Sequence, residues 1–290
     1  MSGEYDGFDA TFRSLKRFNL VMKARILFGL ALTATSVLAS AQSVTLKLKL
    51  TSGKTYKYQT LTDMQQAAQG MSMPMKIDQV MNLKVGAKTA KGYSVTHSVS
   101  SAKVTVPKDS PMASMSKSIE DSAKKATFTS IYSETGKIVQ AGKVQGGLPG
   151  MQNQNGFSAG FMGVEYPKTP VSVGTKWTAS IDISEALGST GMKVDGKPIV
   201  VTYKVTKIET KNGKTLVTLA TTMNGKSSGS MKAGQNQPGG TMNLSINGSG
   251  TTVVDAATGL PVSSKMTAKN VIGFGGMSMT QNMTVTSTLK

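Results

Sequence analysis

Polar and apolar residues alternate along most of this chain, and the alternation predicts strands. Ser43-Val-Thr-Leu-Lys-Leu-Lys-Leu50 alternates without a break, the pattern of a strand with one buried face. The same period of two runs through residues 55–58, 81–85, 93–99 and 103–106, and later through 200–205, 215–219, 242–246 and 283–289. Turn-forming dipeptides separate these runs: Ser52-Gly53, Asn212-Gly213, Asn224-Gly225 and Asn247-Gly248. Asn212-Gly213, between strands ending near Ile208 and starting at Thr215, predicts a two-residue hairpin. One helix stands out. Ser110 suits its cap and Pro111 its first position, with Met112, Met115, Ile119 and Ala123 on one face. Shorter helical turns are expected around 62–70 and 184–188. The expected fold class is all-β, mainly antiparallel, with one or two short helices.

Before the strands comes a different pattern. Met22-Lys-Ala-Arg25 is basic, Ile26 to Leu38 is an apolar run, and Ala39-Ser40-Ala41 closes it with small residues. That layout reads as a secretory signal over 22–41, cleaved after Ala41. The run is shorter than the roughly 20 residues a bilayer crossing needs, so no transmembrane anchor is expected once the signal is removed. An anchored N-terminal helix is the alternative. Met22 is also a natural start, which makes 1–21 an extension. No cysteine follows the apolar run, which leaves no site for lipid attachment.

The remainder reads as two similar halves. Gly53-Lys-Thr-Tyr56 matches Gly174-Thr-Lys-Trp177, Lys84-Val85 matches Lys204-Val205, and Gly92 matches Gly213. Tyr132-Ser-Glu-Thr-Gly136 then matches Asp255-Ala-Ala-Thr-Gly259, in the same order and at nearly the same offset. A first β unit over 42–141 and a second over 170–290 follow from this. Between them, 142–169 is rich in Gly, Gln, Asn and Met, and reads as a linker or loop. The two units would form a curved sheet, a half-barrel or a two-lobed sandwich.

Leu50-Thr-Ser-Gly53-Lys-Thr-Tyr56-Lys-Tyr58, Pro167-Lys-Thr-Pro170-Val-Ser-Val-Gly174-Thr-Lys-Trp177 and the Thr-Gly pairs after a strand resemble a family of secreted bacterial β-rich proteins of unknown function. The resemblance covers most of 42–290 and implies an exported bacterial protein, with no catalytic residues to transfer. In architecture alone the chain is similar to periplasmic lipoprotein carriers, whose curved sheet and lid helices hold an acyl chain. A shared fold does not fix function.

Composition narrows the chemistry. The 290 residues contain no cysteine and one histidine, His97, which removes disulfides, thiolate nucleophiles and Cys-ligated metals. Of 33 Lys and Arg and 15 Asp and Glu, five and three precede the cut; the 28 basic residues that remain, against 12 acids, are all lysines. Nucleic-acid binding leans on the bidentate fork of arginine, so no nucleic-acid partner is expected. The scattered lysines fit either attraction to anionic envelope components or an edge-protected soluble surface. Hydrolytic arrangements are poor. No Gly-x-Ser-x-Gly is present, and Ser114-Met-Ser-Lys117 has Ser-x-x-Lys spacing but falls on an amphipathic helix. Asp182 with Glu185, or Glu120 with Asp121, read as helix-end charges. Trp177, matched to Tyr56, reads as a core anchor.

Methionine is the conspicuous residue type, 19 in all. Met71, Met73 and Met75, and Met277, Met279 and Met283, sit at alternate positions, so on strands each group shares a face. Thioethers favour Cu(I), and His97 could join them. The same residues also fill irregular apolar space and adapt to greasy ligands. The expected function is a non-enzymatic, secreted or periplasmic binding or carrier protein for an apolar or amphiphilic envelope component such as a lipid. The alternatives are Cu(I) binding through the Met clusters, or a structural or interaction protein of the cell envelope without a small ligand, with an envelope protein as partner.

Overall fold

An alternating segment becomes a strand only where a neighbour completes its backbone hydrogen bonds, and here each neighbour does so antiparallel. The structure, a computed structural model, describes residues 42–68, 71–110, 112–142, 145–146, 164–181, 192–231, 240–274 and 277–290. The chain divides into two compact units, Met1–Gln42 and Ser43–Lys290, and the sheet belongs to the second. The signal and extension expected over 1–41, and the helical turn expected at 184–188, lie outside the described residues.

Three long strands open the sheet: β1 (Thr55–Ala68), β2 (Met71–Thr89) and β3 (Gly92–Thr105). A helix and two short strands follow, α1 (Ser116–Lys125), β4 (Thr127–Tyr132) and β5 (Ile138–Gln140). The later strands are β6 (Lys176–Ile181), β7 (Met192–Gly196), β8 (Ile199–Lys211) and β9 (Lys214–Met231), then β10 (Gly240–Asp255), β11 (Leu260–Phe274) and β12 (Met277–Leu289). They form a single sheet in the order β5-β4-β3-β2-β1-β12-β11-β10-β9-β8-β6, with β7 pairing the far end of β9. Among the three arrangements the sequence allows, the structure takes one continuous open sheet. The pairing of β1 with β12, Tyr58 opposite Leu289 and Met64 opposite Met283, joins the two strand sets. The Asn212-Gly213 hairpin forms as expected, with φ of 51° and 73° and Lys211 opposite Lys214.

Equivalent backbone bonds recur in the two strand sets. Gly53 N–H donates to Val85 O and Val85 N–H to Lys54 O, at 2.8 and 2.9 Å; Gly174, Val205 and Thr175 repeat the pair at the same distances. Both glycines have positive φ, 81° and 92°, which explains why that position matches.

Ser43 to Leu50 is a correction. It alternates in burial as a strand would, with Leu46, Leu48 and Leu50 inside, but it adds no strand to the sheet. Its backbone bonds go elsewhere: Val44 exchanges both with Val171, Leu48 N–H donates to Glu134 O, and Lys49 N–H to Thr258 O. The segment crosses between two core clusters. Leu46 joins Tyr203, Val205 and Leu219, while Leu48 and Leu50 join Tyr58, Leu83 and Val95. A leucine buried this fully contributes roughly 1.5–3 kcal/mol. A second segment mirrors it. Val164 and Tyr166 are buried in the cluster around Tyr203, with Tyr166 N–H on Thr135 O and its hydroxyl on Gly259 O at 2.7 Å. These residues belong to the expected linker, most of which lies outside the described residues.

Three further expectations change. Asn224-Gly225 and Asn247-Gly248 are not turns; they lie inside β9 and β10. A Cβ on Gly225 would press on Ile199, and one on Gly248 would meet Thr267 O and the Met223 methyl, so these glycines admit neighbouring strands. Residues 62–68 continue β1 and are not helical, because β2 and β12 complete their bonds on both sides. The helix starts late. A 3-10 turn over Ala113–Met115 precedes α1, Ser110 Oγ accepts the Met112 N–H without capping α1, and Met115 is 52% exposed and so off the packed face.

Candidate functional site

Register places the methionines. In an antiparallel sheet, directly opposed residues project to the same face. Met75 of β2 faces Met64 of β1, and Met64 faces Met283 of β12. The row continues through Ala268 and Gly248 to Met223. The next row holds Met73, Gln66, Gln281, Asn270 and Ile246, and beyond it come Met71, Ala68, Met279, Ile272 and Leu244. Met277 begins β12 on the same face. The two clusters read from the sequence therefore share one face of three adjacent strands, and Met64, which carries no local signal, lies between them. The reverse face carries Lys57, Lys76, Asp78, Lys265 and Lys269.

The methionine face mixes thioether, aliphatic and amide groups. Met64, Met73, Met75, Met279 and Met283 are half-buried, while Met71 and Met277, at the strand ends, are 59% and 55% exposed. Glutamine amides donate to two of the sulfurs, Gln281 Nε2 to Met64 Sδ at 2.9 Å and Gln66 Nε2 to Met279 Sδ at 2.6 Å. Buried polar atoms on this face lack a hydrogen-bond partner among the described residues: Thr60 Oγ1, Ser287 Oγ, Thr221 Oγ1 and Asn270 Oδ1. Asn270 spends its amide nitrogen on Gln281 Oε1 at 3.0 Å. Unpartnered buried groups are unusual in native structures and ask for a water or a ligand.

His97 is not with the methionines. It faces Leu83 across β2, eight residues along from Met75, which is about 26 Å at a rise of roughly 3.3 Å per residue. Its ring stacks on Phe128, with centroids 4.3 Å apart, and its Nε2 lies 3.0 Å from the Tyr132 hydroxyl. Burial lowers its pKa to about 4, so the ring is neutral at pH 7. It is a core residue.

The other candidates also take structural places. Lys117 pairs with Asp121 at 3.2 Å and lies near Glu120, and its ammonium holds the Asp121 carboxyl below the ordinary range. Glu120 accepts the Val104 N–H at 2.9 Å, tying α1 to β3. Ser114 is exposed on the 3-10 turn. Trp177 donates from Nε1 to Glu165 O at 2.6 Å and stacks on Tyr203. Asp182 and Glu185 lie outside the described residues. An open trough of about 640 Å³ crosses β2, β1, β12, β11 and β10, with Met64, Met75 and Met283 among its lining residues together with Asp63, Lys76 and Lys269. Lys76 and Asp63 pair there at 3.5 Å. Among the described residues no three His, Asp or Glu side chains gather as a metal site, and no helix is long and apolar enough to cross a membrane.

No protein-family model matches the chain. No curated protein matches it either. Among solved structures 16 chains match. One, from a structure titled as lipid–protein interactions in lipovitellin, is 11% identical, covers 83% of this chain and gives a TM-score of 0.46. The match spans a quarter (25%) of the lipovitellin chain.

Proposed function

We propose that this chain binds an apolar or amphiphilic envelope component, a lipid-like molecule, along the methionine face. It acts as a carrier or binding protein without catalysing a reaction, in the periplasm or outside the cell. The observation that carries this reading is the row Met75–Met64–Met283 with its neighbours Met73, Met279 and Ile272, apolar and half-exposed, beyond the two buried clusters. Among the described residues Leu48 and Leu50 pack on Tyr58, Leu260 and Leu289 at one end of these strands, and β1, β11 and β12 make their principal element contacts with other strands of the sheet. Unbranched thioethers adapt to chains of differing shape. Export is supported by the basic, apolar and small-residue segments over 22–41.

The test is titration of the purified protein with a fatty acid bearing a fluorescent dansyl group. Met283→Lys puts an ammonium in the row and is expected to weaken binding at least tenfold, about 1.4 kcal/mol. Lys269→Met, on the reverse face, is expected to leave it unchanged. Equal affinities for wild type and Met283→Lys would remove the methionine face as the site.

A further inference from the structure

We infer that Met64, Met75 and Met283 form a three-thioether site for a single Cu(I) ion. The site is set by strand register and is independent of lipid binding. The three residues occupy one position on three adjacent strands, with Met64 opposite both Met75 and Met283. Directly opposed side chains have Cβ atoms roughly 4.5–5.5 Å apart. Three rotatable bonds let each methionine swing its sulfur sideways, so the outer two lean over Met64 and the three Sδ atoms close on one ion. Met64 comes from an ordinary-looking stretch, Thr62-Asp-Met-Gln-Gln-Ala67, and only the pairing of β1 with both β2 and β12 makes it the centre.

Thioethers are soft, neutral donors that select Cu(I) over harder divalent ions. The three side chains are half-buried and share one face by register, while Lys76 and Lys269 project from the reverse face. Gln281 occupies one of the two lone pairs on Met64 Sδ and leaves the other for a metal. His97 is excluded as a ligand by its position some eight residues along the strand, stacked on Phe128. Met71 and Met277, at the exposed strand ends, lie outside the triplet.

The full chain, kept reducing with ascorbate, is titrated with Cu(I) against a chromophoric Cu(I) chelator. One ion per chain is expected, with affinity flat between pH 5.5 and 8 because thioethers bind no proton in that range. Met64→Leu, Met75→Leu and Met283→Leu are each expected to weaken binding at least tenfold, while Met115→Leu, an exposed thioether on the 3-10 turn, does not. Dansyl fatty acid titration of the wild-type chain is run alongside: fatty acid bound without Cu(I) overturns this site and leaves the lipid reading standing, whereas Cu(I) bound without fatty acid does the reverse. Circular dichroism on each variant identifies any that misfold, and the remaining two then decide. Wild-type affinity in the folded variants, or affinity that falls with acid as nitrogen ligands protonate, overturns the site.

Discussion

Gly259→Ala is expected to destabilise the protein by roughly 3 kcal/mol, through two separable causes. Gly259 has φ of 68°, a left-handed conformation that costs a side-chain-bearing residue about 1–2 kcal/mol. In addition, a Cβ there would collide with Lys47 O and the backbone at Leu48. Relieving that clash means moving the segment that carries Leu46, Leu48 and Leu50 into the two core clusters, an overpacking penalty of about 1–3 kcal/mol. The Lys49 N–H to Thr258 O bond and the Tyr166 hydroxyl bond to Gly259 O lie at the same spot. Gly53→Ala supplies the comparison. Gly53 has φ of 81° but open space around it, so only the left-handed penalty applies, about 1 kcal/mol. Urea unfolding of the two variants measures the difference. If Gly259→Ala costs no more than Gly53→Ala, the 43–50 segment is not packed against that turn.

Acidification from pH 7 to 4 is expected to remove about 3 kcal/mol of stability through His97 alone. The folded-state pKa is about 4, against 6.5 for the free side chain, and burial is the cause. Proton counting gives the sign. Below pH 6.5 the unfolded chain takes up a proton that the folded chain refuses, so stability falls as pH falls. Above 6.5 neither state is protonated and the contribution is constant. Every tenfold difference in proton affinity between the two states is worth about 1.36 kcal/mol, so the loss accumulates between pH 6.5 and 4 and then stops. Carboxylates add their own dependence toward the acid end, so the clean measurement is a difference. His97→Phe, which keeps a ring against Phe128, should lose less stability than wild type between pH 7 and 4.5. Parallel profiles for the two proteins would mean that His97 is accessible to protons in the folded state.

Strand content was open to a reader of the sequence because alternation is local. The Asn212-Gly213 hairpin was equally readable, since both positive-φ residues and both flanking runs lie within a few positions. What alternation reports, however, is burial on one side and not the identity of a partner. Ser43 to Leu50 has the burial of a strand, yet its bonds go to Val171, Glu134 and Thr258. Gly225 and Gly248 misled for the opposite reason. They are small because Ile199 and Met223 press on them from neighbouring strands, information held more than 20 residues away. The methionine face was half legible. Spacing of two put Met71, Met73 and Met75 on one face and Met277, Met279 and Met283 on another, but only register makes these the same face. Met64 had nothing in its neighbours to mark it. His97 was visible as a lone histidine, while its separation from the sulfurs depends on the Leu83 pairing.

The pairing of β1 with β12 also governs how this protein must fold. Met64 and Gln281, in contact across that seam, are 217 residues apart in sequence. Closing so long a loop is slow, because chain entropy is lost before any bond rewards it. Until 277–289 dock, the 14-residue β1 offers an open hydrogen-bonding edge beside its thioether face. The half-finished ribbon is thus the species most prone to pair with another copy.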